Sequence, residues 1–354
     1  MKMSRAKIWR VALAALSAVH LTSCGVGYYW QATTGHLELM RNSRSVSEVI
    51  ADPATSVAVR AKLRATSRAV EFAHTELLLP DNGSYRSYVD TGRPYVVWNV
   101  YAAPEFSLDP RVWCFPVAGC VSYRGYFDVT AAREFAAGLA KRGDDIYVGG
   151  VAAYSTLGRF ADPLLNTMMN LPDYRVAGLV FHELAHQHVY VKGDSKFNEG
   201  FASLVEQEGV RRWLSYQEDA ASLENYELSQ ARLAEVHALF SGARESLMEL
   251  YDLDLPQGLK RDRKQSIFAD LRQAYSDHRA VWAGPPYFDH WFDARLNNAR
   301  FVAMATYDDY VPAFRALLEC QGGDLNAFYT RVAALADLGA DERTAELQTL
   351  LANL

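Results

Sequence analysis

The chain has 354 residues, half of them hydrophobic, which is enough for one large domain or two intimate ones. Charged residues make up 22% and aromatics 12%, an ordinary globular composition that excludes bulk disorder. The formal charge is −6, with no basic patch to neutralise phosphates, so nucleic acid is not an expected partner.

The first 23 residues stand apart. Lys2, Arg5, Lys7 and Arg10 precede a short apolar run, "VALAALSAVHL", and then Leu21-Thr22-Ser23-Cys24. A basic segment, a short apolar segment and small residues before a cut make an export signal. The run is too short for a stable membrane span. Small residues followed by Cys resemble the lipobox of bacterial lipoproteins. That resemblance implies removal of residues 1–23, a diacylglyceryl group on the Cys24 thiol and acylation of the new N-terminus, hence membrane attachment through Cys24. Gly25, where an Asp would suggest inner-membrane retention, favours the outer membrane facing the periplasm. An ordinary cleaved signal with an incidental Cys is the alternative. Loss of residues 1–23 removes four cations and no anions, taking the charge from −6 to −10.

After Cys24 a tether is expected to run into a helix continuing to about residue 50, with a second helix over 55–79. "PDNGSY" (80–85) is a turn cluster. From Tyr88 to about Ser155, stretches rich in Val, Tyr and Trp and punctuated by Gly and Pro read as strands, with a helix between them ending at Gly143. Cys114 and Cys120 lie in "WCFPVAGCVSYRGYF"; in an exported chain a disulfide between them is expected, the alternative being two reduced, buried thiols. Cys320 is left over and is expected to be buried.

Beyond Asp162 the chain reads as nearly all helical. One helix is expected after Pro172, stopping near Gly193; others cover 196–214, 217–251, 260–282 and 290–319, with two short ones at the end. The fold class is therefore α+β: a small mixed sheet, then a mostly helical half. The boundaries are about 24–160 for helix plus sheet and about 161–354 for the helical part.

The densest chemistry lies in "FHELAHQHVYVKGDSKFNEGFA", residues 181–202. On a helix, His182 and His186 share a face, so their imidazoles can hold one ion. Glu183 stands beside that face, placed as a base acting on water polarised by the ion. A catalytic zinc takes three protein ligands and keeps one position open. Glu199, on the next helix, is the expected third ligand; Asp194 is the rival, but its place in the turn suits a helix cap. His188, six residues from His182, faces elsewhere and is read as non-ligating. Two exposed histidines with no metal role is the bland alternative.

"HELAH" followed by "FNEGFA" resembles the gluzincin metallopeptidases, whose third ligand is a Glu on the following helix. More closely, the lipobox, "GYYWQATTGHLEL", "WCFPVAGCVSYRGYF", residues 181–202 and "LNNARF" together resemble the bacterial predicted aminopeptidase lipoproteins, over most of the mature chain. The resemblance implies a zincin-like fold and a peptidase with one Zn²⁺, held by His182, His186 and Glu199, with Glu183 as the catalytic carboxylate. Peptides are then the substrates. Two features depart from gluzincins: Ser203 stands where many carry an Asp that buttresses a histidine, and no motif for a substrate's free amine is evident. Endopeptidase action therefore remains the companion of aminopeptidase action.

A peptidase also needs an edge strand and an oxyanion donor. "DDIYVGGVAAYSTLG" (144–158) is the candidate edge. Tyr307 is the candidate donor, with Tyr310 beside it; Asn297 and Asn298 either pack helices or line the cleft. The contrasting reading is a non-catalytic, peptide- or partner-binding envelope lipoprotein with a vestigial or structural zinc. Glu183 argues against it, since a closed structural site has no use for a base.

Overall fold

The computed structural model describes residues 27–116, 119–282, 288–293, 295–305 and 310–352. The chain opens on helix α1 (27–41). It does not run on to residue 50. Ser45 and Glu48 form a reciprocal capping box that starts a new helix, so a two-residue strand, β1 (Arg44–Ser45), separates α1 from α2 (Val46–Ala51). Ser56 accepts the Val59 amide and begins α3 (Val57–Thr75).

The strand region follows: β2 (Ser87–Val89), β3 (Val97–Pro104), β4 (Trp113–Phe115), β5 (Gly119–Val121) and β6 (Tyr123–Tyr126). Next come α4 (Val129–Ala140), capped by Asp128, then β7 (Asp144–Val151) and β8 (Leu164–Leu165). These strands form three pieces rather than one sheet: β1-β2-β8, β6-β3-β7 and the hairpin β4-β5. In the second piece β3 is central and antiparallel to both neighbours. Successive β3 side chains alternate faces. Val100 and Ala102 pack on α4, whereas Tyr101 and Ala103 join the apolar cluster on the other face.

The remaining elements are α5 (Asp173–His188), α6 (Ser195–Tyr216), α7 (Ala220–Asp252), α8 (Gln257–Val281), α9 (Asp289–Asp293), α10 (Asn298–Ala305), α11 (Val311–Cys320), α12 (Leu325–Ala336) and α13 (Ala340–Ala352). Helix α5 stops five residues short of Gly193. Val189 is extended, at φ −137° and ψ 130°, as suits a β-branched residue leading the Val-Tyr-Val run. The single helix expected over 290–319 is instead α9, α10 and α11. Cys320, expected inside, is exposed, because it falls on the outer side of the last turn of α11.

Helix α5 runs through the main core, which draws on residues either side of 160. Phe181 and Leu184 of α5 and Phe197 and Phe201 of α6 are fully buried. Each such side chain contributes about 2–3 kcal/mol. An exposed ion pair contributes about 0–1 kcal/mol. Apolar packing therefore sets how α5 lies on α6.

A second junction fastens the α7–α8 hairpin to the sheet. Buried Asn298 donates from Nδ2 toward the carbonyls of Pro104, Glu105 and Ser107 at 2.9–3.0 Å and accepts from the Tyr251 hydroxyl at 2.8 Å. Asp145 receives both the Asn298 amide at 2.9 Å and the buried Lys264 ammonium at 2.6 Å. Asn297 bonds the Ile146 carbonyl and the Arg300 amide. Both asparagines are thus structural. Replacing Asn298 by Ala leaves several buried carbonyls unsatisfied and should cost about 3 kcal/mol of stability, read as a lower midpoint in urea unfolding. An unchanged midpoint would show that the junction carries no load.

Candidate metal centre

Residues 189–194 decide where Glu199 goes. Asn198 clamps this connection, accepting from the Val191 amide at 2.7 Å and donating to the Val191 carbonyl at 2.8 Å. Gly193 turns the chain at φ +84°. Asp194 accepts the Phe197 amide as the cap of α6, and its other oxygen takes the Arg343 guanidinium at 2.8 Å. Asp194 is therefore occupied as a cap and ion-pair partner and stands outside the ligand group. Helices α5 and α6 are left side by side, with Glu199 facing the two histidines.

One atom from each of His182, His186 and Glu199 lies within 4.8 Å of the others. The His182 Nε2 is 3.3 Å from one Glu199 oxygen, and the His186 Nε2 is 3.7 Å from the other. On its far side the His182 Nδ1 meets Glu206 at 3.2 Å. With Nδ1–H donated to Glu206, the Nε2 lone pair is free to point at a cation.

Glu206 went unrecognised in the sequence, where only Ser203 was considered for this supporting role. The signal was present. Seven residues separate Glu206 from Glu199, two helical turns on the same face, whereas Glu208 is nine residues on and lies opposite. Glu208 indeed turns away to Arg211 and Arg212. The His186 Nδ1 is buried and has no hydrogen-bond partner among the described residues. Among the described residues, His182 but not His186 has a carboxylate on its Nδ1 side.

The charges of this cluster are partly withdrawn from water, and its protonation reflects that. Burial alone would lower the His182 pKa; hydrogen bonds to Glu199 and Glu206, with their charges, outweigh it and raise the pKa well above the usual histidine range. Burial works to raise Glu199 and Glu206, but their imidazole partners hold both below the ordinary carboxylate range. Burial brings His186 down to about 4. Two anionic carboxylates around one imidazolium form a site that demands positive charge. Two imidazole nitrogens and a carboxylate oxygen are also the donor set that a divalent transition metal takes. The residues present fit a metal ion.

Glu183 sits beside this group and is not one of the three converging donors. Burial, reinforced by Glu199 and Asp162 against the pull of His182, pushes its pKa to about 7, while a hydrogen bond from Ser155 opposes the rise. Behind it lies Tyr85, fully buried, with its backbone at φ 63° and its hydroxyl without a hydrogen-bond partner among the described residues. The Asp162 carboxylate accepts from Thr156 and Ser155, which ties the segment carrying Ser155 in place.

A cleft of about 770 Å³ opens over the cluster, and His182, Glu183, His186 and Glu199 all line it. Strand β7 is at the edge of its sheet, and its continuation, residues 151–155, forms one wall. Tyr123 and Tyr190 also line the cleft, and burial beside Glu199 raises both hydroxyl pKa values. Helix α7 and the α9–α10 region wall the other end, with His237, Trp291 and Met304.

Other expected residues fall elsewhere. His188 rests its ring on Tyr329, centroids 4.4 Å apart. Tyr310 packs on the main core at the start of α11. Cys114 and Cys120 are joined in a disulfide across the β4–β5 hairpin. Gly119 of this hairpin backs onto the α5–α6 connection: a Cβ there would stand 2.6 Å from the Gly193 nitrogen. Tyr307 and Cys24 lie outside the described residues.

A family model described as "Putative aminopeptidase" matches residues 27–347. The chain belongs to this family. The match runs from the first residue of α1 into α13, so this aminopeptidase family spans the sheet, the cleft and every residue of the cluster. No curated protein and no solved structure matches the chain.

Two substitutions separate the supporting roles in this aminopeptidase-family site. Glu206→Gln should weaken affinity for a divalent metal by about 10–100-fold, read by competition with a chelating indicator. Asp194→Ala should lower stability by about 3 kcal/mol through loss of the cap and of the Arg343 partner and leave metal affinity unchanged. The reverse pattern would make Asp194 a ligand.

Proposed function

We propose that this chain is a zinc-dependent aminopeptidase of the bacterial cell envelope, lipid-anchored through Cys24 at the outer membrane and facing the periplasm. The observation that carries the peptidase reading is the meeting of His182, His186 and Glu199 on two buried helices, with Glu183 beside them on the cleft wall. Family membership supports aminopeptidase action on peptides. Cys24 follows a lipobox-like sequence, which supports the anchor. No described helix is long and apolar enough to cross a membrane.

His182, His186 and Glu199 would hold the ion, with Glu206 fixing the His182 ring. Bound there, zinc supplies Lewis acidity, which polarises a peptide carbonyl and makes nearby water a better acid. Glu183 takes the proton of the attacking water and passes it to the departing amine. Its position in a desolvated wall suits both tasks, since burial brings its pKa to about 7, between those of a strong acid and a strong base. Residues 151–155 present backbone along the cleft, where an extended peptide can pair. Tyr123 reaches the cleft from the sheet, and its hydroxyl serves as hydrogen-bond donor to the developing oxyanion.

The test is Glu183→Gln in the purified mature chain, assayed on a mixed peptide library by mass spectrometry. The variant should keep its metal and lose hydrolysis by at least about 100-fold. Wild type should produce ladders trimmed from peptide N-termini. Hydrolysis that survives Glu183→Gln would overturn the mechanism, and internal cuts alone would make the enzyme an endopeptidase.

A further inference from the structure

Helix α1 is expected as the end of a tether, yet it is fastened to the body of the protein. The Gln31 side chain accepts the Phe127 amide at 3.0 Å and reaches back to the Gly125 carbonyl at 3.5 Å. Gly35 lies directly under the Phe127 ring, where a Cβ would stand 2.3 Å from ring carbon. Leu39 is in the main core. On its inner side Tyr28 and Ala32 line the catalytic cleft.

The outer side of the same helix is different. Tyr29, Trp30 and Leu37 are 48%, 72% and 53% exposed. Trp30, Thr33 and Leu37 follow helical spacing and make one stripe, about 10 Å long. No Asp, Glu, Lys or Arg occurs from Gly27 to Leu37. Phe160, 54% exposed, rests its ring 4.7 Å from that of His36 on the same helix. Trp30, six positions after Cys24, is the most exposed Trp, Tyr or Phe among the described residues. Exposed Trp and Tyr beside an uncharged stripe are the side chains that settle at the headgroup level of a bilayer.

We propose that the outer face of α1 lies in the headgroup region of the membrane and holds the cleft mouth at the bilayer surface. This rests on the reading that Cys24 is acylated. Only two residues, Gly25 and Val26, separate Cys24 from Gly27, so α1 starts within about 10 Å of the proposed lipid-bearing residue. With residues 1–23 removed the chain carries a net charge of −10, so anionic headgroups repel it as a whole. The uncharged stripe next to the anchor is the part that can settle there. Because α1 is bonded to the sheet and forms a cleft wall, docking it fixes the cleft against the membrane. The substrates this geometry favours are peptides presented at the membrane surface.

The experiment uses the full-length chain, processed in a bacterial host and reconstituted in vesicles of phosphatidylethanolamine and phosphatidylglycerol. Brominated acyl chains, which quench nearby tryptophan, should lower wild-type emission. Trp30→Phe should cut that loss several-fold while hydrolysis of a soluble peptide is unchanged. Equal quenching in both proteins, or none in wild type with Cys24 shown by mass spectrometry to be acylated, would overturn the docking of α1. An unmodified Cys24 would overturn the anchor and this proposal together, while continued peptide hydrolysis in that protein would show that the peptidase reading stands independently of them.

Discussion

Everything in this structure that bears on function follows from negative charge placed out of water between two helices. Glu199 and Glu206 are largely withdrawn from solvent and are answered mainly by imidazoles, with Arg175 also acting on Glu206. Carboxylates in such a place are costly unless a cation is near. Without an ion the imidazolium of His182 answers them with one positive charge; a divalent ion held by His182, His186 and Glu199 would take the place of the Nε2 proton and answer them with more. The same desolvation sets Glu183 apart, because it has no imidazole bonded to it and takes a hydrogen bond from Ser155 instead. Two kinds of carboxylate thus stand side by side, one kind held ionised by partners and one raised toward neutrality by burial, a contrast that supports the proposed division between ligand and base.

The rest of the fold keeps those groups in register. Apolar faces of α5 and α6 fix the helices, and the six residues joining them fix the phase of one against the other. Three independent restraints meet on that connection: the Asn198 clamp, the Asp194 cap with its Arg343 partner, and the β4–β5 hairpin backed against Gly193. The hairpin is closed by the Cys114–Cys120 disulfide, and Phe115 and Val121 within it line the cleft. The cysteine pair, distant in sequence from α5 and α6, therefore belongs to the same local structure. The sheet contributes the opposite wall through β7 and its continuation.

Much of this was legible from residue spacing. His182, Glu183 and His186 could be placed on one helix, and Glu199 on the next, because helical periodicity fixes which side chains share a face. Asp194 read correctly as a cap because its turn position precedes an apolar helix. The misses have physical reasons. The end of α5 was overrun because Val189 and Val191 continue an apolar pattern while their β-branched side chains favour extended backbone. The start of α2 was missed because its capping box falls inside a polar run. Residue type alone places Cys320 in the core, whereas its helix turns it outward. Glu206 lies one turn beyond Ser203, the position that the gluzincin resemblance marks for a buttress, so the family pattern does not point to it. Tyr123 and Tyr85 could not be singled out, because what brings them to the site is strand pairing and a left-handed turn, neither of which spacing encodes.

The central claim is that two imidazoles and one carboxylate share a single metal ion. Anomalous X-ray diffraction across the zinc absorption edge, on crystals of the mature chain grown with zinc, tests it most directly. The account predicts one strong anomalous peak between the Nε2 atoms of His182 and His186 and the Glu199 carboxylate, with Glu183 beside it. A peak elsewhere, or none at that position with zinc supplied, would contradict it.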